Sequence, residues 1–106
     1  MDKSQSKTFT PWGRPNTRRT VADGITFYST PSHGGYGLSD ARLDEMPACL
    51  KEQLWAGEGW FEEDCDWARV ALAFPEYFPA DAIDIARKTL AFHHPDILER
   101  FDAIPR

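Results

Sequence analysis

At 106 residues the chain has room for one domain and one modest core, a size that hides about 60–70% of the unfolded surface. Its 42% apolar and 13% aromatic content excludes a disordered chain, and no apolar stretch approaches the ~20 residues of a membrane span. The net charge of −5 is unevenly spread: residues 1–42 carry six Lys/Arg against three Asp/Glu, and residues 43–106 carry six against fourteen. An acidic half of this kind argues against direct binding of a nucleic-acid backbone, which needs clustered Lys/Arg. It suits a basic protein partner, or solubility alone.

Along the chain, residues 1–8 read as a loose polar tail and residues 9–106 as one folded unit. Pro11, Gly13 and Pro15 make the next segment irregular, with Phe9 and Trp12 as its anchors to the core. The run TVADGITFYST predicts a hairpin, because Asp23-Gly24 suits a type I′ turn. Ile25, Phe27 and Ser29 then share one strand face, and Thr26, Tyr28 and Thr30 the other. PSHGG interrupts the strand, and Tyr36-Gly37-Leu38 is a short third strand. From Ser39 the pattern turns helical. Ser39 or Asp40 caps a helix running toward Leu50 or Trp55, bent or divided by Pro47. A second helix is expected over residues 60–74, ended by Pro75. Pro79 opens a third over about 80–93, with Ala82, Ile83, Ile85, Ala86, Leu90 and Phe92 on its inner side. Pro95 starts a short last helix. The expected class is therefore α+β: a small antiparallel sheet of two to three strands packed by three to four helices.

The stretch GWFEEDCDWARVALAF, residues 59–74, is the most distinctive. Placed on a helical wheel, Glu62, Asp66 and Arg69 form one polar strip and apolar residues take nearly all the rest, which marks a central helix. Acids in its first turn would satisfy unpaired N–H groups and the positive end of the dipole. Asp64 falls instead among apolar positions, so a bracing role is expected for it, accepting bonds from the STPSHGG loop or from His33. His33 with Ser29, Thr30 and Ser32 invites a hydrolase reading, yet no Gly-x-Ser-x-Gly elbow or phosphate loop is present. His93, His94 and Asp96 read as a helix end rather than a metal corner, and no Cys-x-x-Cys or His-Glu-x-x-His occurs. No metal and no cofactor are expected. Cys49 and Cys65 read as small core residues in a reducing cytoplasm; the sequence leaves open whether their Cβ atoms come within about 4.5 Å for bridging.

Thr10-Pro11-Trp12-Gly13, Phe27-Tyr28-Ser29-Thr30-Pro31-Ser32-His33-Gly34-Gly35, Gly59-Trp60-Phe61-Glu62-Glu63-Asp64-Cys65 with Trp67-Ala68, and Ala73-Phe74-Pro75 together resemble a family of small proteins carried by phages, plasmids and other mobile elements. The chain also resembles phage-borne anti-CRISPR proteins that inhibit type I-E systems. That resemblance implies stoichiometric binding to a Cas protein, either a surveillance-complex subunit or the helicase-nuclease, by a monomer in the host bacterial cytoplasm. It implies no catalysis, no direct nucleic-acid contact and no membrane. The residues expected to carry binding are Glu58, Glu62, Glu63, Asp66 and Glu76 as an outward acidic surface, with Trp55 and Tyr77 as anchors and Asp64 and His33 as structural residues. The alternatives are a small hydrolase or nucleic-acid-processing enzyme using His33 and Asp64, and a structural or assembly protein of a mobile element.

Overall fold

A computed structural model describes residues 10–105. The loose tail and the Phe9 anchor expected from the sequence lie outside the described residues. Four strands form one antiparallel sheet in the order β1 (Thr17–Ala22), β2 (Ile25–Ser29), β3 (Gly34–Leu38) and β4 (Trp60–Glu62). Four helices follow or interleave: α1 (Asp40–Glu45), α2 (Trp67–Ala73), α3 (Ala80–His93) and α4 (Pro95–Asp102). The α+β expectation holds, with one strand more than the sequence suggests.

The hairpin forms at Asp23-Gly24, where Gly24 takes φ +82°, a conformation glycine adopts without strain. Asp23 does not share it, so the turn is not the expected type I′, which needs positive φ at both central residues. The second connection, from Ser29 to Gly34, is a tight turn closed by Thr30. Its N–H and its hydroxyl both donate to the His33 carbonyl, at 2.8 and 2.6 Å, and its Oγ1 accepts from the His33 N–H at 3.0 Å. Ser39 caps α1, its Oγ accepting from Arg42 N. Pro47 interrupts the chain after α1, and a single 3-10 turn, Ala48–Lys51, replaces the second half of the expected helix.

Residues 60–74 are not one helix. Trp60–Glu62 pairs with β3, aligning Gly35 with Glu62, Tyr36 with Phe61 and Gly37 with Trp60. Turns occupy 63–66 and α2 begins only at Trp67. Trp and Phe favour strands, but the decisive partner is distant in sequence. A Cβ on Gly35 would collide with the Phe61 carbonyl and, at 2.5 Å, with Trp12; one on Gly37 would lie 2.9 Å from both the Trp60 and Tyr28 rings. Glycines in β3 therefore let three aromatic rings approach the strand closely. Trp60 meets Trp12 edge-to-face at 5.7 Å and Tyr28 at 5.5 Å, geometry that adds about 0.5–1.5 kcal/mol per pair beyond burial.

The opposite face of the sheet joins the helices. Ile25, Tyr36, Leu38 and Phe61 belong to one core with Leu50, Val70, Leu72, Phe74, Leu90, Ile97 and Phe101. As expected of the central helix, α2 buries Ala68 through Leu72. It ends where Phe74 N donates to Val70 O and Pro75 removes the next donor. Helix α3 spans the expected residues, but its inner stripe is narrower: Ala86 and Leu90 are buried, whereas Ile85 and Phe92 are exposed. It packs on α2 and α4 and leaves Ile85 and Phe92 outside that contact, so the buried stripe is narrow. Pro95 opens α4, whose Ile97 and Phe101 are buried.

Gly35→Ala is expected to lower stability by roughly 1–3 kcal/mol, the cost of overpacking, because a backbone carbonyl blocks the new methyl. Urea denaturation of the two proteins measures this; equal midpoints would contradict the close packing of β3 on β4.

Candidate functional site

The acidic stretch splits into residues that face inward and residues that face water. Glu62 is 5% exposed and Asp66 2% exposed, so neither belongs to the outward acidic surface expected from the sequence. Glu62 ends β4, and its Oε1 accepts from Asp64 N at 2.8 Å, from Cys65 N at 3.1 Å and from the Cys65 thiol at 3.4 Å. The idea that acids satisfy exposed amides is correct here for Glu62, but the amides belong to a turn that links a strand to a helix.

Asp66 is paired with Arg69, one helical turn away and 0% exposed. Arg69 Nε lies 3.0 Å from Asp66 Oδ1, an ion pair without hydrogen-bond alignment. The wheel places Arg69 on an outward polar strip; the structure places it among the largest fully buried side chains. The guanidinium is tolerated there because its other nitrogens donate to carbonyls: Nη1 to Leu50 O at 3.2 Å and to Glu52 O, and Nη2 to Gln53 O at 3.2 Å. Asp66 Oδ2 completes the clamp by accepting from Trp55 N at 2.9 Å. The backbone from the 3-10 turn to Trp55 is thus held at Leu50, Glu52, Gln53 and Trp55 by one ion pair. It is further tied at the surface by a bidentate Glu52–Arg100 pair at 2.7 and 2.8 Å. Gln53 takes φ +53°, the one non-glycine residue with positive φ among the described residues. That conformation persists where surrounding bonds hold it, and its carbonyl is held by Arg69. Sequence reasoning missed Arg69 as a clamp; the Asp66/Arg69 spacing of three was its only signal.

At the tip of this loop the Trp55 side chain is 81% exposed. Glu58, Glu63 and Glu76 are exposed as expected. Tyr77, the second expected anchor, is 38% exposed and engaged: its hydroxyl accepts from Arg42 Nη2 at 3.2 Å, and the same guanidinium lies over the Phe74 and Tyr77 rings at 5.1 and 5.3 Å.

His33 and Asp64 converge, together with Glu62. One ligand-capable atom of each lies within 4.8 Å of the other two. Asp64 does not occupy the buried arc expected from the wheel, because residue 64 sits on a turn and its side chain is exposed. Among the described residues, no side-chain hydrogen bond or close ion pair joins it to His33 or to the STPSHGG loop, so the direct brace expected from the sequence does not form. The loop and the turn are linked through backbone, Glu63 N donating to Gly34 O at 2.9 Å.

Cys49 is buried and Cys65 half-buried, and both are free thiols. Burial, reinforced by the neighbouring Asp66 and Glu62 charges, pushes the Cys65 thiol up to about 12. The nucleophile is the thiolate, so Cys65 is inert at neutral pH. Its alkylation rate by iodoacetamide in the folded protein is expected to keep rising through pH 10 rather than level off above pH 9; an early plateau would contradict this environment. Arg69→Ala is expected to cost about 3–5 kcal/mol, the penalty for stranding one member of a buried pair, and to free the 52–55 loop. Denaturation curves and Trp55 fluorescence anisotropy measure the two effects.

Among the described residues no helix is long and apolar enough to cross a membrane. No curated protein and no solved structure matches the chain. One family model does, over residues 5–105. The chain belongs to the family described as Domain of unknown function (DUF7007).

Proposed function

We propose that this protein acts by stoichiometric binding to another protein, through a surface centred on Trp55. The observation that carries this reading is a fully presented indole on a clamped loop. Exposed tryptophan is costly to leave in water and is enriched among interface residues that dominate binding energy. A loop already ordered by the Asp66–Arg69 pair loses little further entropy when it docks. Glu58, Glu63 and Glu76 add exposed negative charge suited to a basic partner. With the resemblance to phage-borne inhibitors, these features support a Cas protein of a type I-E system as the partner, met in the host cytoplasm. The rival reading, a small hydrolase or nucleic-acid-processing enzyme, draws on the proximity of His33 and Asp64.

Tagged protein is presented with each subunit of a type I-E complex and with its helicase-nuclease. One subunit is expected to be retained. Trp55→Ala should weaken that binding at least tenfold, the combined Glu58→Lys, Glu63→Lys and Glu76→Lys variant should slow association, and His33→Ala should leave binding intact. Capture of no subunit, with no protection of phage in infected cells, would overturn the type I-E assignment. Loss of function on His33→Ala, with Trp55→Ala silent, would favour the enzyme.

A further inference from the structure

We propose that His33, Glu62 and Asp64 bind one divalent transition-metal ion, which ties the β2–β3 turn to the β4–α2 turn. This inference is independent of binding through Trp55. It rests on four observations.

The donors come from two segments that the fold brings together, not from one acidic run. His33 lies on the turn closed by Thr30, and Glu62 and Asp64 lie where β4 gives way to α2. Their nearest ligand atoms fall within 4.8 Å of one another. Two ligands each about 2.1 Å from one ion at the tetrahedral angle stand about 3.4 Å apart. The donors therefore need to close by up to about 1.4 Å, a distance within reach of side-chain rotation at the two exposed residues.

The buried member of the set retains an unused oxygen. Glu62 is only 5% exposed, and its Oε1 holds the turn amides. Its Oε2 has no hydrogen-bond partner among the described residues. That oxygen is not cut off from water, so an ion can reach it.

The charge at this spot has no protein counterpart. Elsewhere the acids that come near a cation are paired: Asp66 with Arg69, Glu45 with Arg42, Asp102 with Arg87, and Glu52 and Asp96 with Arg100. Among the described residues neither Glu62 nor Asp64 has a Lys or Arg partner. Two carboxylates brought together without a cation repel, and a divalent ion removes that repulsion.

The backbone around the donors is already fixed. Three bonds between Thr30 and His33 set the imidazole's attachment point, and Glu63 N bonds to Gly34 O across the two turns. A Cβ on Gly34 would lie 2.7 Å from the Tyr28 carbonyl, so the segment after His33 is packed too closely for a side chain. One imidazole nitrogen with two carboxylates selects Zn²⁺, Mn²⁺, Fe²⁺ or Co²⁺ over Ca²⁺, which prefers an all-oxygen shell. Three protein ligands leave at least one coordination position for water or for an oxygen of a bound molecule.

The test is calorimetric titration of Zn²⁺ and of Co²⁺ into the metal-stripped full-length protein, with Ca²⁺ as the comparison and Co²⁺ visible absorption as a readout of coordination. One equivalent of Zn²⁺ is expected to bind. His33→Ala and Asp64→Asn, both at exposed positions, should each weaken it at least tenfold without lowering the metal-free melting temperature. Saturating Zn²⁺ should raise the melting temperature of the native protein but not of His33→Ala. A His93→Ala/His94→Ala variant should bind as the native protein does. The proposal is overturned if no equivalent binds, if Zn²⁺ binds His33→Ala as tightly as the native protein, or if affinity is lost only in the His93→Ala/His94→Ala variant.

Discussion

A guanidinium at the centre of a small protein constrains everything around it. Arg69 cannot shed its charge, and the desolvation of a buried ion costs several kcal/mol unless partners replace the lost water. Asp66 supplies the countercharge, and Leu50, Glu52 and Gln53 supply carbonyls. The partners are not interchangeable with solvent, so the chain from the 3-10 turn to Trp55 must close over α2 for the core to be satisfied. The irregular segment between α1 and β4 is therefore ordered from below, by a residue of the central helix. This arrangement also accounts for the exposure of Trp55: the loop's polar backbone points inward at Arg69, and the indole is left outside.

A second constraint acts on the other side of the sheet. The glycines of β3 allow Trp12, Tyr28 and Trp60 to approach the strand itself. A strand with ordinary side chains would hold those rings away and would separate β4 from its partner. The same glycine-rich strand starts directly after His33, and the same β4 ends at Glu62. Close packing of β3 on β4 thus determines how near the imidazole and the carboxylates come. One short segment, residues 60–66, serves both features: Glu62 and Asp64 meet His33, and Asp66 holds the loop carrying Trp55.

These two features suggest different chemistry and rest on different residues. A rigid exposed indole with scattered acids is suited to recognition of a protein surface, where affinity comes from a few buried anchors and charge governs encounter. A histidine with two unpaired carboxylates is suited to an ion. The two are compatible in one molecule: an ion that fixes the turn before α2 would also stiffen the segment from which Asp66 reaches Trp55. Tyr77 is less suited to anchoring than Trp55, because docking would have to displace or accommodate Arg42, which already bonds its hydroxyl and covers its ring.

Local features were legible in the amino-acid order. Asp23-Gly24 dictated a hairpin, Ser39 a helix start, Pro47 a division, and Pro79 and Pro95 the two last helices, because each depends on backbone restrictions of a residue and its immediate neighbours. The apolar circumference read over residues 60–74 likewise marked a central helix, of which Trp67–Ala73 forms. Distant partners set the features that the order of residues left undecided. Trp60-Phe61-Glu62 continues a helical wheel smoothly, and only the side-chain-free surface of β3 turns it into a strand. Arg69 reads as a solvent-facing residue until the carbonyls of residues 50–53 are in place to receive it, and Asp66 follows it inward. His33 and Glu62 are 29 positions apart in the sequence, and antiparallel pairing of β3 with β4 is what makes them neighbours. Backbone preference is a property of short segments, whereas the burial of a charge depends on which groups the whole fold can bring to meet it.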